Sequence, residues 1–209
     1  MQDLKGYLMN CSDIIDSVYE YLSFRNITEN EEINGLICSC FDELEKLNSF
    51  KYIHSKQLEL FNFLNKEPYL SFLSGSSGYY FVATTLGTEI DRLIKRYSVS
   101  DMLRAIVLDS TANAYLEAKA DEYEKTLGEN LSYRFCPGYQ GSSVSDLKYI
   151  FEVLKPEKIG IELLPSGMMV PQKSMCGIIA IGKNEEKKCG NCLMLHDCAY
   201  RKADKKCYK

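Results

Sequence analysis

Between residues 33 and 47 the apolar side chains fall at three- and four-residue steps: Ile33, Leu36, Ile37, Cys40, Phe41, Leu44 and Leu47. At 3.6 residues per turn they share one face, so the segment predicts an amphipathic helix. Thr28-Glu29-Asn30-Glu31 ahead of it has the capping-box pattern, with threonine three residues before glutamate. Ile15, Val18, Tyr19 and Leu22 predict a shorter helix before that. Aromatic and β-branched enrichment predicts strands over residues 51–60 and 79–85. Residues 71–78, rich in serine and glycine, read as a loop; they lack the Gly-Lys-Ser ending of a phosphate-binding P-loop.

Thr88 is expected to cap a helix through Tyr97, and Ser100 or Asp101 to open a long helix reaching about Leu127. Leu103, Ile106, Val107, Ala114 and Tyr115 would form its buried side. After a loop at 128–130, a helix is predicted over 145–154, stopped ahead of Pro156. Short extended runs follow at 159–164 and 177–181. The mixture reads as α+β rather than a regular βαβ array, with no internal repeat and no dinucleotide fingerprint.

The 209 residues allow one substantial core, or one core with a small appendage. A net charge of -4 argues against a nucleic-acid partner, because no concentrated basic face is present. Lys187, Lys188, Lys202, Lys205 and Lys206 cluster near the C-terminus and read as a solvated tail. No apolar run is long enough to span a bilayer, and Met1-Gln2-Asp3-Leu4-Lys5 does not open a signal peptide, so a cytoplasmic protein without a membrane partner is expected.

Nine cysteines then call for an account. Disulfides are disfavoured in a reducing compartment, so Cys11, Cys38 and Cys40 read as small buried hydrophobes. Cys189, Cys192, Cys198 and Cys207 crowd the end of the chain, and Cys189-Gly190-Asn191-Cys192 has the spacing that wraps one metal. A structural zinc, an iron–sulfur cluster and a tail of free thiols all remain open. A boundary near 182–188, where apolar strand gives way to charge, divides the chain into residues 1–183 and a cysteine-rich tail, 184–209. His54 and His196 stand alone and read as ordinary surface or core residues.

Two compact motifs carry the sharpest chemistry. Arg134-Phe135-Cys136-Pro137-Gly138-Tyr139 joins a fixed cation, a tight Pro-Gly turn and an aromatic hydroxyl. Such a turn lets main chain approach a ligand, and an arginine fork suits a carboxylate or phosphate. Downstream lies Met168-Met169-Val170-Pro171-Gln172-Lys173-Ser174-Met175-Cys176-Gly177. With Phe81-Val82-Ala83-Thr84-Thr85-Leu86-Gly87-Thr88-Glu89-Ile90-Asp91 and Val107-Leu108-Asp109-Ser110, these motifs resemble the S-adenosylmethionine-binding activation (reactivation) domain of vitamin B12-dependent methionine synthase, in its free-standing form. The resemblance covers roughly residues 79–181 and extends to the N-terminal third, so residues 1–183 are expected to form the activation domain-like unit.

The resemblance implies helices packed around a mostly antiparallel sheet. It also implies that Arg134 holds the methionyl carboxylate of S-adenosylmethionine. The backbone around Cys136 and Gly138 would contact the cofactor, and Tyr139 would sit where the methyl group faces a partner's corrin ring. Family members place acidic groups near the cofactor's cationic end; the matching positions here are Asn113 and, one helical turn later, Glu117. A family glutamate position before the second motif is occupied by Pro165. That second motif is expected to support the site and shape the corrin-facing surface.

By the same resemblance, the chain would support reductive methylation of cob(II)alamin as one component of a methyltransferase, not complete by itself. It has neither a cobalamin-ligating histidine motif nor room for substrate domains, so it is expected to act in trans. The cobalamin would be carried by a methionine synthase or another corrinoid methyltransferase, with a low-potential donor such as a flavodoxin. A non-enzymatic S-adenosylmethionine sensor or interaction protein is the reading of a different class.

Overall fold

The computed structural model describes residues 9–23, 27–128 and 130–183. Two helices come first, α1 (Cys11–Ser23) and α2 (Glu31–Leu47). Ile33, Ile37, Cys40, Phe41 and Leu44 form the buried stripe of α2, as their spacing predicts. The cap differs from the predicted one. Asn30, not Thr28, precedes the helix, and its side chain accepts from the Ile33 amide at 2.9 Å.

Strand β1 (Lys51–Gln57) ends three residues earlier than predicted, and the chain then turns through the short helix α3 (Tyr69–Leu73). Part of the expected Ser/Gly loop is therefore helical, because Tyr69, Phe72 and Leu73 bury apolar side chains there. Strand β2 (Gly78–Thr85) follows, then α4 (Thr88–Ser100) and the long α5 (Met102–Lys125). Gly87 occupies the cap position expected of Thr88, whereas Asp101 does cap α5, accepting from the Arg104 amide at 3.0 Å. Leu103, expected inside, is 40% exposed; the first turn of α5 stands clear and burial begins at Ala105.

After α6 (Leu147–Leu154) come the two-residue strands β3 (Glu162–Leu163) and β4 (Met169–Val170), a small hairpin. Strand β5 (Ser174–Ile181) closes the main sheet, whose order is β1-β2-β5 with both pairings antiparallel.

The described residues form two apolar clusters, one on a face of the sheet and one among the helices. Phe81, Ala83, Cys176, Ile178 and Ala180 alternate onto one face and pack with Ile150, Phe151 and Leu154 of α6 and with Tyr69 and Phe72 of α3. The helical half buries Val18, Leu22, Ile37, Leu44, Ile90, Val107 and Leu108. On the sheet's other face, Tyr52 of β1 stacks on Tyr123 of α5 with ring centroids 4.1 Å apart.

The reading of Cys11 and Cys38 as separate small hydrophobes is corrected: the two form a disulfide tying α1 to α2. Cys40 is a free, buried thiol, as expected. No described helix is long and apolar enough to cross a membrane. Cys189, Cys192, Cys198 and Cys207 lie outside the described residues, so the tail and its metal remain expectations.

Candidate ligand site on helix α5

Tertiary structure brings the two motifs edge to edge. Residues 131–135 run antiparallel to β5, with bridges Leu131 to Ile181 and Phe135 to Ile178. The Phe135 amide donates to the Ile178 carbonyl at 2.8 Å and the Ile178 amide returns the bond at 2.8 Å. Phe135 is anchored below the sheet by Tyr69 and Phe72, whose ring centroids lie 5.4 and 5.0 Å away. Alternation then sends Arg134 to the opposite face, toward α5. It crosses over Gly177 of the second motif: a Cβ there would stand 2.7 Å from Arg134 Cγ and 2.9 Å from the Phe135 carbonyl oxygen.

The turn beyond is braced locally. The Tyr139 amide donates to the Cys136 carbonyl at 3.3 Å, and the Gly138 amide to Ser142 Oγ at 3.0 Å. Gly138 has φ +97°, a region other residues rarely adopt, and a Cβ there would lie 2.6 Å from Val144 Cγ2. The other methyl of Val144 abuts Gly167 at the tip of the β3–β4 hairpin in the same way. Val144 thus wedges between the first motif's turn and the hairpin that leads into the second. Tyr139 projects from this turn and is 69% exposed.

Opposite both motifs runs a row of polar side chains on α5. Asp109, Asn113, Glu117 and Asp121 are each four residues apart, and Glu124 follows at three, so they share one side of the helix. Each motif sends one cation to an end of this row. Lys173, 7% exposed, donates to Asn113 Oδ1 at 2.7 Å and pairs with Asp109 at 2.8 Å. Arg134 bonds Glu124 through Nη1 and Asp121 through Nη2, the latter at 3.3 Å. Glu117, midway, accepts from the Tyr21 hydroxyl at 2.9 Å and meets no cation among the described residues.

The electrostatics follow from this layout. Burial pushes the Glu124 carboxyl above its usual range, partly countered by the Arg134 charge. Burial acts to lower the Arg134 guanidinium, but Glu124 beside it overrides that and keeps it firmly charged. The Tyr139 hydroxyl is raised by partial desolvation and, to a lesser degree, by the nearby Cys136 and Glu117. Four carboxylates against two cations leave the row net negative. Such a row suits a ligand that carries positive charge beside a carboxylate.

Arg134, Cys136, Gly138, Tyr139, Asn113 and Glu117 thus occupy one region, though not as equals. Asn113, expected to face a ligand, is bonded to the buried Lys173 ammonium. Pro165 lies at the exposed tip of the β3–β4 hairpin. Lys173 belongs to the second motif, whereas Asp121, Glu124 and Tyr52, whose hydroxyl donates to Glu124 at 3.0 Å, lie outside both motifs. The four-residue spacing of the acidic row was the signal available for Asp121 and Glu124. A separate cleft of about 630 Å³, lined by Leu58, Leu60, Leu70 and Leu73 among others, contains no motif residue.

An α+β fold with an antiparallel sheet whose edge motifs face a polar row on one long helix defines the class. Among solved structures, it is similar to the MetH reactivation domain bound to AdoHcy. That structure superposes with a TM-score of 0.57 at 15% sequence identity, covering 86% of this chain and 78% of that one. The chain has the fold of that domain. No protein-family model and no curated protein matches its sequence.

Proposed function

We propose that this chain binds S-adenosylmethionine and serves as a reactivation subunit for a cobalamin-dependent methionine synthase acting in trans. The observation that carries the reading is the convergence of Arg134, the Cys136–Tyr139 turn and Glu117 at one place on α5. The fold shared with the MetH reactivation domain, whose structure holds AdoHcy, supports it.

In this reading Arg134 holds the methionyl carboxylate, with the fixed fork that such a group matches. Main-chain groups at Cys136 and Gly138 contact the ligand from a turn that Val144 braces on its inner side. Glu117 faces the cationic end, and Asn113 shapes that end through its bond to Lys173. Tyr139 covers the reacting methyl group on the side open to a partner.

S-adenosylmethionine supplies the methyl group, a low-potential donor such as a flavodoxin supplies one electron, and the partner's cob(II)alamin becomes methylcobalamin while S-adenosylhomocysteine leaves. The chain's own contribution is positioning and exclusion of water, with no covalent step on the protein. Cys189, Cys192, Cys198 and Cys207 are proposed to hold zinc or an iron–sulfur cluster. The latter would favour a reductive activator of another corrinoid methyltransferase. The pairing of Asn113 with Lys173 instead favours a second reading, an S-adenosylmethionine-binding sensor without turnover.

Calorimetric titration of S-adenosylmethionine into the full chain, with Arg134→Ala as control, tests the binding site. Saturable binding that the substitution weakens by tenfold or more is expected, as for loss of a charged hydrogen-bond partner. Methylation of cob(II)alamin on an added cobalamin domain, with a reductant present, separates the reactivation role from the sensor.

A further inference from the structure

Arg134 has two carboxylate partners of unlike character. Glu124 has a side chain only 13% exposed, and the Tyr52 hydroxyl donates at 3.0 Å to Oε1, the same oxygen that Arg134 Nη1 bonds. Tyr52 is itself fixed by its stack on Tyr123. Asp121 is 64% exposed and lies at the long distance of 3.3 Å from Nη2.

We infer that the two acids have separate tasks toward the ligand proposed above. Glu124 is a positioning residue that holds the guanidinium across β5, and Asp121 is an internal stand-in that yields its place on Nη2 to the carboxylate of S-adenosylmethionine. The inference rests on the ligand reading of the preceding subsection.

The physical ground is the difference in cost of breaking the two pairs. An exposed, long ion pair contributes little and exchanges readily with water or another anion. A buried carboxylate stripped of its cation is left with an uncompensated charge, so the Glu124 pair persists. Each Nη carries two N–H groups, so Nη1 keeps Glu124 while Nη2 changes partner. One carboxylate leaves the guanidinium as another arrives, so the charge around Arg134 is conserved. The site then needs no rearrangement of the buried sheet edge, only rotation of one exposed side chain.

Opposite signs follow for the two acids. In calorimetric titration with the full chain, Asp121→Asn is expected to bind S-adenosylmethionine about two- to fivefold more tightly, the scale of an exposed ion pair. Glu124→Gln is expected to bind it about tenfold or more weakly, as the arginine loses its charged anchor. Should thermal melting show that Glu124→Gln does not fold, Tyr52→Phe keeps the carboxylate and removes only its brace, with about threefold weaker binding expected. Unchanged or weaker binding in Asp121→Asn, with normal binding in the wild type, would overturn the exchange and leave the ligand reading intact. Unchanged binding in Tyr52→Phe overturns the positioning role of Glu124. Absence of binding to the wild type, both alone and with a cobalamin domain added, overturns the inference and the ligand reading together.

Discussion

Gly177 lies directly beneath Arg134, so one motif's glycine makes room for the other motif's arginine. The two residues belong to neighbouring stretches of one sheet edge, where Phe135 and Ile178 exchange 2.8 Å backbone bonds. Gly177→Ala would push a methyl group against Arg134 Cγ and the Phe135 carbonyl oxygen. A loss of about 1–3 kcal/mol in unfolding free energy is expected, the cost of overpacking. Urea denaturation measures it, and a neutral effect would show that the edge accommodates the methyl by shifting.

Lys173 offers a second test, because its buried ammonium is what Asn113 and Asp109 face. Lys173→Met keeps the length and removes the charge. A destabilisation of about 1–3 kcal/mol is expected from unpaired polar groups, held to that range because Asp109 is a third exposed. Adding Asp109→Asn should recover part of the loss in a double-mutant cycle. Simple additivity of the two effects would argue that the pair is not coupled.

The Cys11–Cys38 bond closes a loop with a sequence separation of 27. Replacing both residues by serine should lower stability by about 3 kcal/mol, through the greater freedom of the unfolded chain. Peptide mapping after alkylating unfolded, unreduced protein should leave these two residues unlabelled. Labelling of both would mean that the thiols are reduced in the isolated chain.

Burial pushes the Cys40 thiol from 9.0 up to about 12, with Arg104 pulling it back to a lesser degree. The folded value lies above the unfolded one, so the native chain retains a proton that the unfolded chain gives up. This contribution is intact below pH 9.0 and is lost as the pH climbs toward about 12. Stability should therefore fall in that alkaline window by up to about 1.4 kcal/mol per pH unit from this group. Cys40→Ala should flatten the decline, and an identical profile in the variant would remove Cys40 as a cause.

Much of the local structure was legible beforehand. The stripe from Ile33 to Leu44, the strand at Tyr79–Thr85 and the Asp101 cap emerge because each depends on residues a few positions apart. The departures have both local and distant causes. Thr28 and Asn30 both carry side chains suited to capping, and spacing did not choose between them. Three residues of an apparent Ser/Gly loop belong to the five-residue α3 because Tyr69 and Phe72 have an aromatic partner in Phe135, far along the chain.

By itself the sequence determined the α+β class, the alternating strands, the two motifs and the identity of Arg134, Gly138 and Tyr139 as residues to watch. Only tertiary structure decided what they meet. Periodicity assigns a side chain to a face but carries no information about which distant segment packs on it. Hence the approach of Lys173 to Asn113, of Arg134 to Glu124 and Asp121, and of Cys11 to Cys38 had no local signature. The first two meetings arise when burying the apolar clusters sets α5 against one sheet face and brings residues 131–135 alongside β5, and the third when α1 packs on α2. The polar groups left between them are then obliged to satisfy one another.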